Sequence, residues 1–389
     1  MANETAVKTK AARRAAKAEK ASVARPQCDR TLLTVTITLV IFGLIMMFSA
    51  SYANALYLFG DSYYFIKKQA LFALVGIAAM LVISRINYRI LHRFAIPLMA
   101  VSYVLLIITL FMPAINNSKR WIVIGGFTFQ PSEIVKFAVI VLFAHFIAVK
   151  PNKMREFKYG FLLPLGVLGA IAAIMLQQTH LSGTILICLV GVVMMFVGGT
   201  NPAYFGLTAA VVLPLGAAGL LLTDKMSYAL SRIQMWQNPY LDRTGAGHQT
   251  IQSLLAIGSG GLMGLGLGNS RQKHLYVPEP QNDFIFSIIC EELGYIGALF
   301  VIALFVIFVF RGFAVAMNAR DKFGAMISIG ITAQIGLQTL LNIAVVTNTV
   351  PNTGISLPFF SQGGTSLAML LAEVGVLLSV SRYSAIKKQ

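Results

Sequence analysis

The feature that most constrains this chain is a series of apolar runs, each of a length that crosses a bilayer. They fall near 31–51, 69–84, 94–112, 133–149, 160–177, 181–199, 202–222, 284–310, 323–347 and 365–381. About 20 apolar residues suffice for one crossing, so the sequence predicts about ten transmembrane helices. Charge agrees with this. Only 12% of the 389 residues are charged and mean hydropathy is +0.75, whereas a soluble domain carries roughly a quarter charged residues. The expected fold is an all-α polytopic membrane protein, with a large extracytoplasmic loop between helices 7 and 8.

An even number of crossings puts both ends of the chain on one side. The segments 1–30, 85–93, 149–158, 311–322 and 382–389 hold 21 Lys/Arg, against 7 in the opposite connections. Positive charge marks the cytoplasmic side, so the sequence predicts a multi-pass protein of the bacterial cytoplasmic membrane with both termini inside. It divides into a basic arm (1–30), a ten-helix domain (31–382) and a short tail (383–389). The arm lacks a small-residue cleavage site and leads into too long an apolar run to read as a signal peptide. The net charge of +17 does not imply nucleic acid. Eight Lys/Arg lie in an Ala-rich arm with no aromatic to stack a base, and the others sit mostly in short loops, as topology and anionic lipid require. Cys28, Cys188 and Cys290 have no metal-like spacing.

Chemistry concentrates at the outer ends of the helices. In LYVPEPQNDFIFSIICEELG, Leu275 to Gly294, Asp283 stands where a polar segment meets an apolar run. It is either a helix N-cap or a reactive carboxylate. Glu291 and Glu292 lie further in, and acids within a membrane are usually functional. At ~100° per residue only Glu291 shares a face with Asp283. In SKRWIVIGGFTFQPSEIVKFAVI, Pro131 opens a helix and Glu133 and Lys136 are neighbours on it, as a structural bridge or as working groups. Arg120 and Trp121 precede them at the interface. LQQTHLSGT places Gln177, Gln178 and His180 in a tight outer turn. Gln334, Gln338 and Asn342 form an interior polar stripe, and Glu373 is a lone acid in the last helix.

The outer connection 223–283 is too long to be a mere linker. It contains GSGGLMGLGLG, Gly258 to Gly268, which lacks the Lys and Ser/Thr of a phosphate loop and reads as a re-entrant or surface-lying segment. The connection has few large apolar anchors outside Leu254 to Leu267, so it is expected to open readily unless a substrate or partner orders it.

The motifs RWI…QPSEIVKFAVI, GHQTIQSLLAIGSGGLMGLGLG, PEPQNDFIFSIICEELG and NTGISLPFFSQGGTSL, in this order over residues 31–382, resemble the SEDS family of shape, elongation, division and sporulation proteins. The wording PEPQNDFIF is closer to the division and sporulation members (FtsW and its sporulation relative) than to the E-x-x-T-D-F-I-F of RodA-like members. The resemblance implies a peptidoglycan glycosyltransferase that polymerises lipid II outside the cytoplasmic membrane during division or sporulation. It puts the catalytic aspartate on Asp283, an acid–lysine pair on Glu133 and Lys136, and the RW motif on Arg120 and Trp121. Where many members read Q-P-D-L-G-T, this chain has His180 in place of the acid, and no role is carried onto it.

The residues suit that chemistry. A carboxylate at the outer interface takes the proton of an attacking sugar hydroxyl. The departing diphosphate needs cations, for which Arg120, Lys136, Arg243 and Lys273 are candidates, with a divalent metal (magnesium or manganese) as a further one and no organic cofactor. Gln338 and Asn342 join the candidate substrate contacts. A single displacement inverts the anomeric centre. Expected partners are lipid II, a class B penicillin-binding transpeptidase and other divisome proteins. The alternatives are a lipid II flippase, which would favour inverted repeats not evident here, and a non-catalytic scaffold for the transpeptidase.

Overall fold

The computed structural model describes residues 28–114, 118–124, 127–207, 210, 234–243, 245, 247–274 and 276–384. In chain order these form α1 (Arg30–Phe59), α2 (Tyr64–Ile83), α3 (Ile90–Leu110), a hairpin of β1 (Ile122–Ile124) and β2 (Phe127–Phe129), α4 (Pro131–Val149), α5 (Leu163–Gln177), α6 (Leu181–Gly198), α7 (His248–Ser259), α8 (Ile285–Met317), α9 (Lys322–Val346) and α10 (Gly364–Tyr383). A π-helical turn, Phe157–Leu162, leads into α5. Among the described residues nine helices are long and apolar enough to cross a membrane. Most of the expected helix at 202–222 lies outside the described residues, as do the arm 1–27 and the tail 385–389.

Local chemistry sets the helix ends. Asp29 caps α1 by accepting from the Leu32 N–H at 2.9 Å, and Asp321 caps α9 by accepting from Gly324 at 2.7 Å. Gly60 and Gly199 end α1 and α6 in the left-handed conformation. Asp29 also ties the bundle together. Its N–H donates to Ser381 Oγ at 3.0 Å and its carboxylate accepts from Arg311 Nε at 3.1 Å. The two ends of the described chain therefore share one face. We call this the terminal face and its opposite the distal face.

Packing inside relies on small residues, because lipid supplies no hydrophobic drive between helices. α2 lies against α10 where a Cβ on Gly76 would come within 2.7 Å of Leu371 Cδ1 and one on Gly375 within 2.8 Å of the Met80 carbonyl. α4 is buried on most sides and α9 runs beside it, so the polar residues of both helices look into the bundle.

α8 is not continuous. Gly294 (φ 67°, ψ −166°) breaks it, and the Gly-rich stretch after α7 repairs the break. Leu265 and Gly266 donate to the carbonyls of Glu291 and Glu292 at 2.9 Å each, while Tyr295 and Ile296 donate back to Gly261 and Leu262 at 2.9 and 3.2 Å. The approach is so close that a Cβ on Gly264 or Gly294 would strike backbone at 2.2 or 2.3 Å. The Tyr295–Met317 part alone is about 34 Å long at ~1.5 Å per residue, enough for one crossing. The Gly-rich segment lays Leu262, Met263 and Leu267 on the surface, as a surface-lying piece should.

The described part of the outer connection is tied to the bundle by several contacts. Ser253 donates to the Val346 carbonyl at 2.9 Å and Trp236 Nε1 to the Asn348 carbonyl at 3.0 Å. Lys273 Nζ meets Glu292 at 2.7 Å with both side chains completely enclosed. The anchors are polar and backbone groups, which a count of apolar residues does not register.

Candidate active site

Three segments interlock at the distal face around Asp283. Asn342 Nδ2 on α9 donates to the carbonyls of Asp283 at 2.7 Å and Ile355 at 2.6 Å. Ser361 Oγ donates to the Asn282 carbonyl at 2.7 Å, and the Gln362 N–H to the Gln281 carbonyl at 2.8 Å. Gln338 Nε2 holds the Ser356 carbonyl at 3.0 Å. The backbone of Asp283 is thus fixed while its carboxylate accepts no hydrogen bond from the described residues. The capping alternative fails, since the N-cap of α8 is Phe284 and has no side-chain cap bond. Gly354, with φ 72°, lies so near that a Cβ there would be 3.1 Å from Asp283 Oδ2. Burial pushes the Asp283 carboxyl up to about 6, Arg120 pulls it down and Glu279 pushes it further up. Part of the side chain still reaches the surface, as a group that meets a substrate must.

Lys136 Nζ meets Glu133 Oε2 at 2.9 Å on the first turns of α4, placed there by Pro131 at the first helical position. Ser366 Oγ of α10 donates to the same Glu133 oxygen at 2.8 Å. Deeper in, Gln334 Nε2 donates to Glu373 at 2.8 Å, and Lys136 and Glu133 both act electrostatically on Glu373. On the other side, His180 lies within the field of Arg120 and Lys136, and burial together with these cations brings its imidazole down to about 3. Arg120 therefore acts electrostatically on both Asp283 and His180 and links the two groups of polar residues. Its Nε is buried without a partner. Trp121 is half-buried beside it, directly before β1.

The structure brings Asp283, Arg120, Glu133 and Lys136 together, and it reassigns the other candidates. Lys273 is not available to a diphosphate, because it is wholly buried against Glu292 and lies 4.8 Å from the centre of the Tyr52 ring. Glu291 and Glu292 are taken up by other partners. Glu291 accepts from the Ser270 hydroxyl and from the Arg271 N–H at 2.9 Å, and Glu292 from Ser49 at 2.6 Å, so both clamp the outer connection. Arg243 is exposed and contacts its own loop, stacking on Tyr240 at 5.4 Å. Gln338 and Asn342 spend their amide N–H groups on backbone carbonyls and so support the Asp283 segment. Their amide oxygens, like that of Gln334, are buried without partners.

Sequence reasoning missed Ser366, Gln130 and His180 as members of the site. Ser366 follows the Gly pair of the QGGTS motif, which was the available signal. Among the described residues no group of three or more His, Cys, Asp or Glu forms a ready metal cage. Magnesium-type sites need only one or two carboxylates when a substrate supplies phosphate oxygens, and Asp283 fits that pattern.

The described part of the bundle thus carries at its distal face a carboxylate within the field of Arg120, and a buried lysine–glutamate pair on α4. The chain belongs to the FtsW/RodA/SpoVE family of cell cycle proteins, whose model matches residues 29–386. It is 43% identical over 363 residues to stage V sporulation protein E of Bacillus subtilis, covering 92% of this chain and 97% of that one. It is 39% identical over 357 residues to a probable peptidoglycan glycosyltransferase FtsW of Geobacter sulfurreducens, covering 91% and 95%. Among solved structures, a chain of a peptidoglycan synthase complex that coordinates polymerization and crosslinking superposes with a TM-score of 0.77 at 25% identity, over 91% and 98% of the two chains. The rod shape determining protein RodA of Thermus thermophilus shares the fold, with a TM-score of 0.67 at 23% identity over 92% and 98%.

Proposed function

We propose that this protein is a peptidoglycan glycosyltransferase that polymerises lipid II, serving division or sporulation. The observation that carries the reading is the Asp283 carboxylate, fixed by its backbone, without a hydrogen bond from the described residues and raised to about 6 beside Arg120. The positive-inside distribution supports termini in the cytoplasm and the cavity on the outer face of the cytoplasmic membrane.

In this reading Asp283 takes the proton of the acceptor sugar's 4-hydroxyl as that oxygen attacks the donor's anomeric carbon. The bond to the diphosphate breaks in the same displacement, so the configuration inverts. Arg120 and Lys136 receive the charge that develops on the leaving diphosphate, in a site where low polarity strengthens each contact. Glu133 and Ser366 keep Lys136 in place. A divalent cation would be held by Asp283 and the substrate's own phosphate oxygens, and would supply charge neutralisation there.

A class B penicillin-binding transpeptidase is the partner this reading implies. The support is the likeness to a chain of a peptidoglycan synthase complex that couples polymerization to crosslinking. The test is purified protein, with and without that partner, given labelled lipid II and assayed for glycan chains beside Asp283→Asn. The variant is expected to fold and insert as the parent does and to lose about 10²–10⁴-fold in rate, the usual contribution of a general base. Chains made at the parental rate would overturn the assignment of Asp283.

A further inference from the structure

His180 has a buried ring nitrogen, Nδ1, that no described residue meets. The residue closes the turn between α5 and α6, where its N–H donates to the Met175 carbonyl at 3.1 Å and its carbonyl accepts from Thr184 Oγ1 at 2.8 Å. The ring lies across Gly183, where a Cβ would come within 2.6 Å of His180 Cε1, so the imidazole seat requires glycine. Gln130 Nε2 stands 3.4 Å from His180 Nε2. With the amide nitrogen of Gln130 turned toward it, Nε2 is assigned as the acceptor, and the neutral ring then carries its proton on Nδ1. The ring stays neutral at working pH because burial and the nearby Arg120 and Lys136 hold it near 3.

Nδ1 is buried without a partner, and so is Arg120 Nε. Buried donors in native proteins nearly always have acceptors. Two that lack them, on residues within each other's electrostatic reach, point to an acceptor that arrives with a ligand. Arg120 and Lys136 specify an anion rather than a sugar hydroxyl.

We propose that His180 is a further substrate-binding residue, its Nδ1–H and the Nε–H of Arg120 together receiving a phosphate oxygen of the diphosphate. The proposal rests on the glycosyltransferase reading for the identity of the substrate, and on the two unpaired donors for the site. A neutral ring here leaves the cationic charge of Arg120 available to the ligand.

The test uses the full chain in detergent with EDTA present, and inorganic pyrophosphate as the probe, read as a rise in melting temperature with concentration. His180→Leu should weaken pyrophosphate binding about tenfold, the usual scale for one lost charge-assisted hydrogen bond. The KM for lipid II should rise by a similar factor, with kcat changed less. His180→Asn places an amide nitrogen near the Nδ1 position and should recover most of the binding, whereas His180→Gln reaches the Nε2 position and should not. That second pair carries the test if the Leu variant fails to fold. Equal pyrophosphate binding in all variants, no binding by the parent, or Asn and Gln behaving alike would overturn the proposal. If pyrophosphate binding depends on the Nδ1 donor while no variant, parent included, makes glycan chains, the donor pair stands and the polymerase reading falls.

Discussion

Two buried acid–lysine pairs lie near the distal face, and they do different work. Lys136 meets Glu133 at 2.9 Å and Lys273 meets Glu292 at 2.7 Å. The second pair is closed. Its side chains are wholly enclosed, Glu292 also accepts from Ser49, and Lys273 lies over the Tyr52 ring. The first pair is open on one side. Among the described residues, Arg120 Nε and His180 Nδ1 have no partners and the Asp283 carboxylate accepts no hydrogen bond. A saturated pair can only hold the fold together. An unsaturated cluster has capacity left for a ligand. The lesson is that burial of charge does not separate structure from function, whereas the satisfaction of the atoms around the charge does.

Breaking the closed pair should have the largest effect on stability. Lys273→Met strands Glu292 and is expected to destabilise by about 3–5 kcal/mol, the usual result for half of a buried ion pair. Thermal unfolding in detergent would read it. Adding Glu292→Met should recover most of the loss, because well-packed apolar replacements of a buried pair are often neutral. A double variant as unstable as the single one would show that the two residues do not act as a pair.

The open pair should respond in the opposite way. Exchanging the charges, Glu133→Lys with Lys136→Glu, restores attraction and should return insertion and melting temperature close to the parent's. Polymerisation should stay at least about tenfold down, since one misplaced charge-assisted contact to the diphosphate costs on that order. A fully active exchange would refute diphosphate binding by Lys136 and make the two pairs equivalent.

A smaller effect concerns pH. With Asp283 at about 6, the rate should fall roughly tenfold per unit below that value, as the base becomes protonated. Arg120→Ala removes the charge that pulls this carboxyl down and should move the midpoint up, while Glu279→Gln should move it down. The same shift has a stability side. The folded value lies above the ordinary 3.8, so the folded state binds more protons between about 4 and 6, and stability falls as pH rises through that window. Asp283→Asn should therefore melt higher than the parent above pH ~6 and no higher at pH ~4. A parent and variant with the same pH dependence would mean that the carboxyl is not strained by burial.

The smallest effect is expected at Gly354. Alanine there faces a left-handed φ of 72° and a contact of 3.1 Å to Asp283 Oδ2. The conformation costs about 1–2 kcal/mol, and polymerisation should drop several-fold through displacement of the carboxylate. Unchanged activity would show that Asp283 has room to move.

By itself the sequence determined the membrane class, most of the spans and the neighbourhood of Glu133 and Lys136. Those depend on apolar run length and on helical spacing, both local properties. It also determined that Gln334, Gln338 and Asn342 look inward, since a polar stripe on a membrane helix has nowhere else to go. Only the tertiary structure decided between residues of one chemical type. Lys273 and Lys136 are both lysines near acids, but Lys273 meets its partner 19 positions away across a loop, a pairing that no spacing rule encodes. Glu291 and Glu292 look functional as acids in an apolar run, yet the break at Gly294 and the returning Gly-rich segment turn them into anchors. His180 became legible only when Gln130, Arg120 and Lys136 were seen around its ring. Local pattern fixes where a side chain can point, but the partners that spend or spare its hydrogen bonds come from distant parts of the chain, and they decide what it can do.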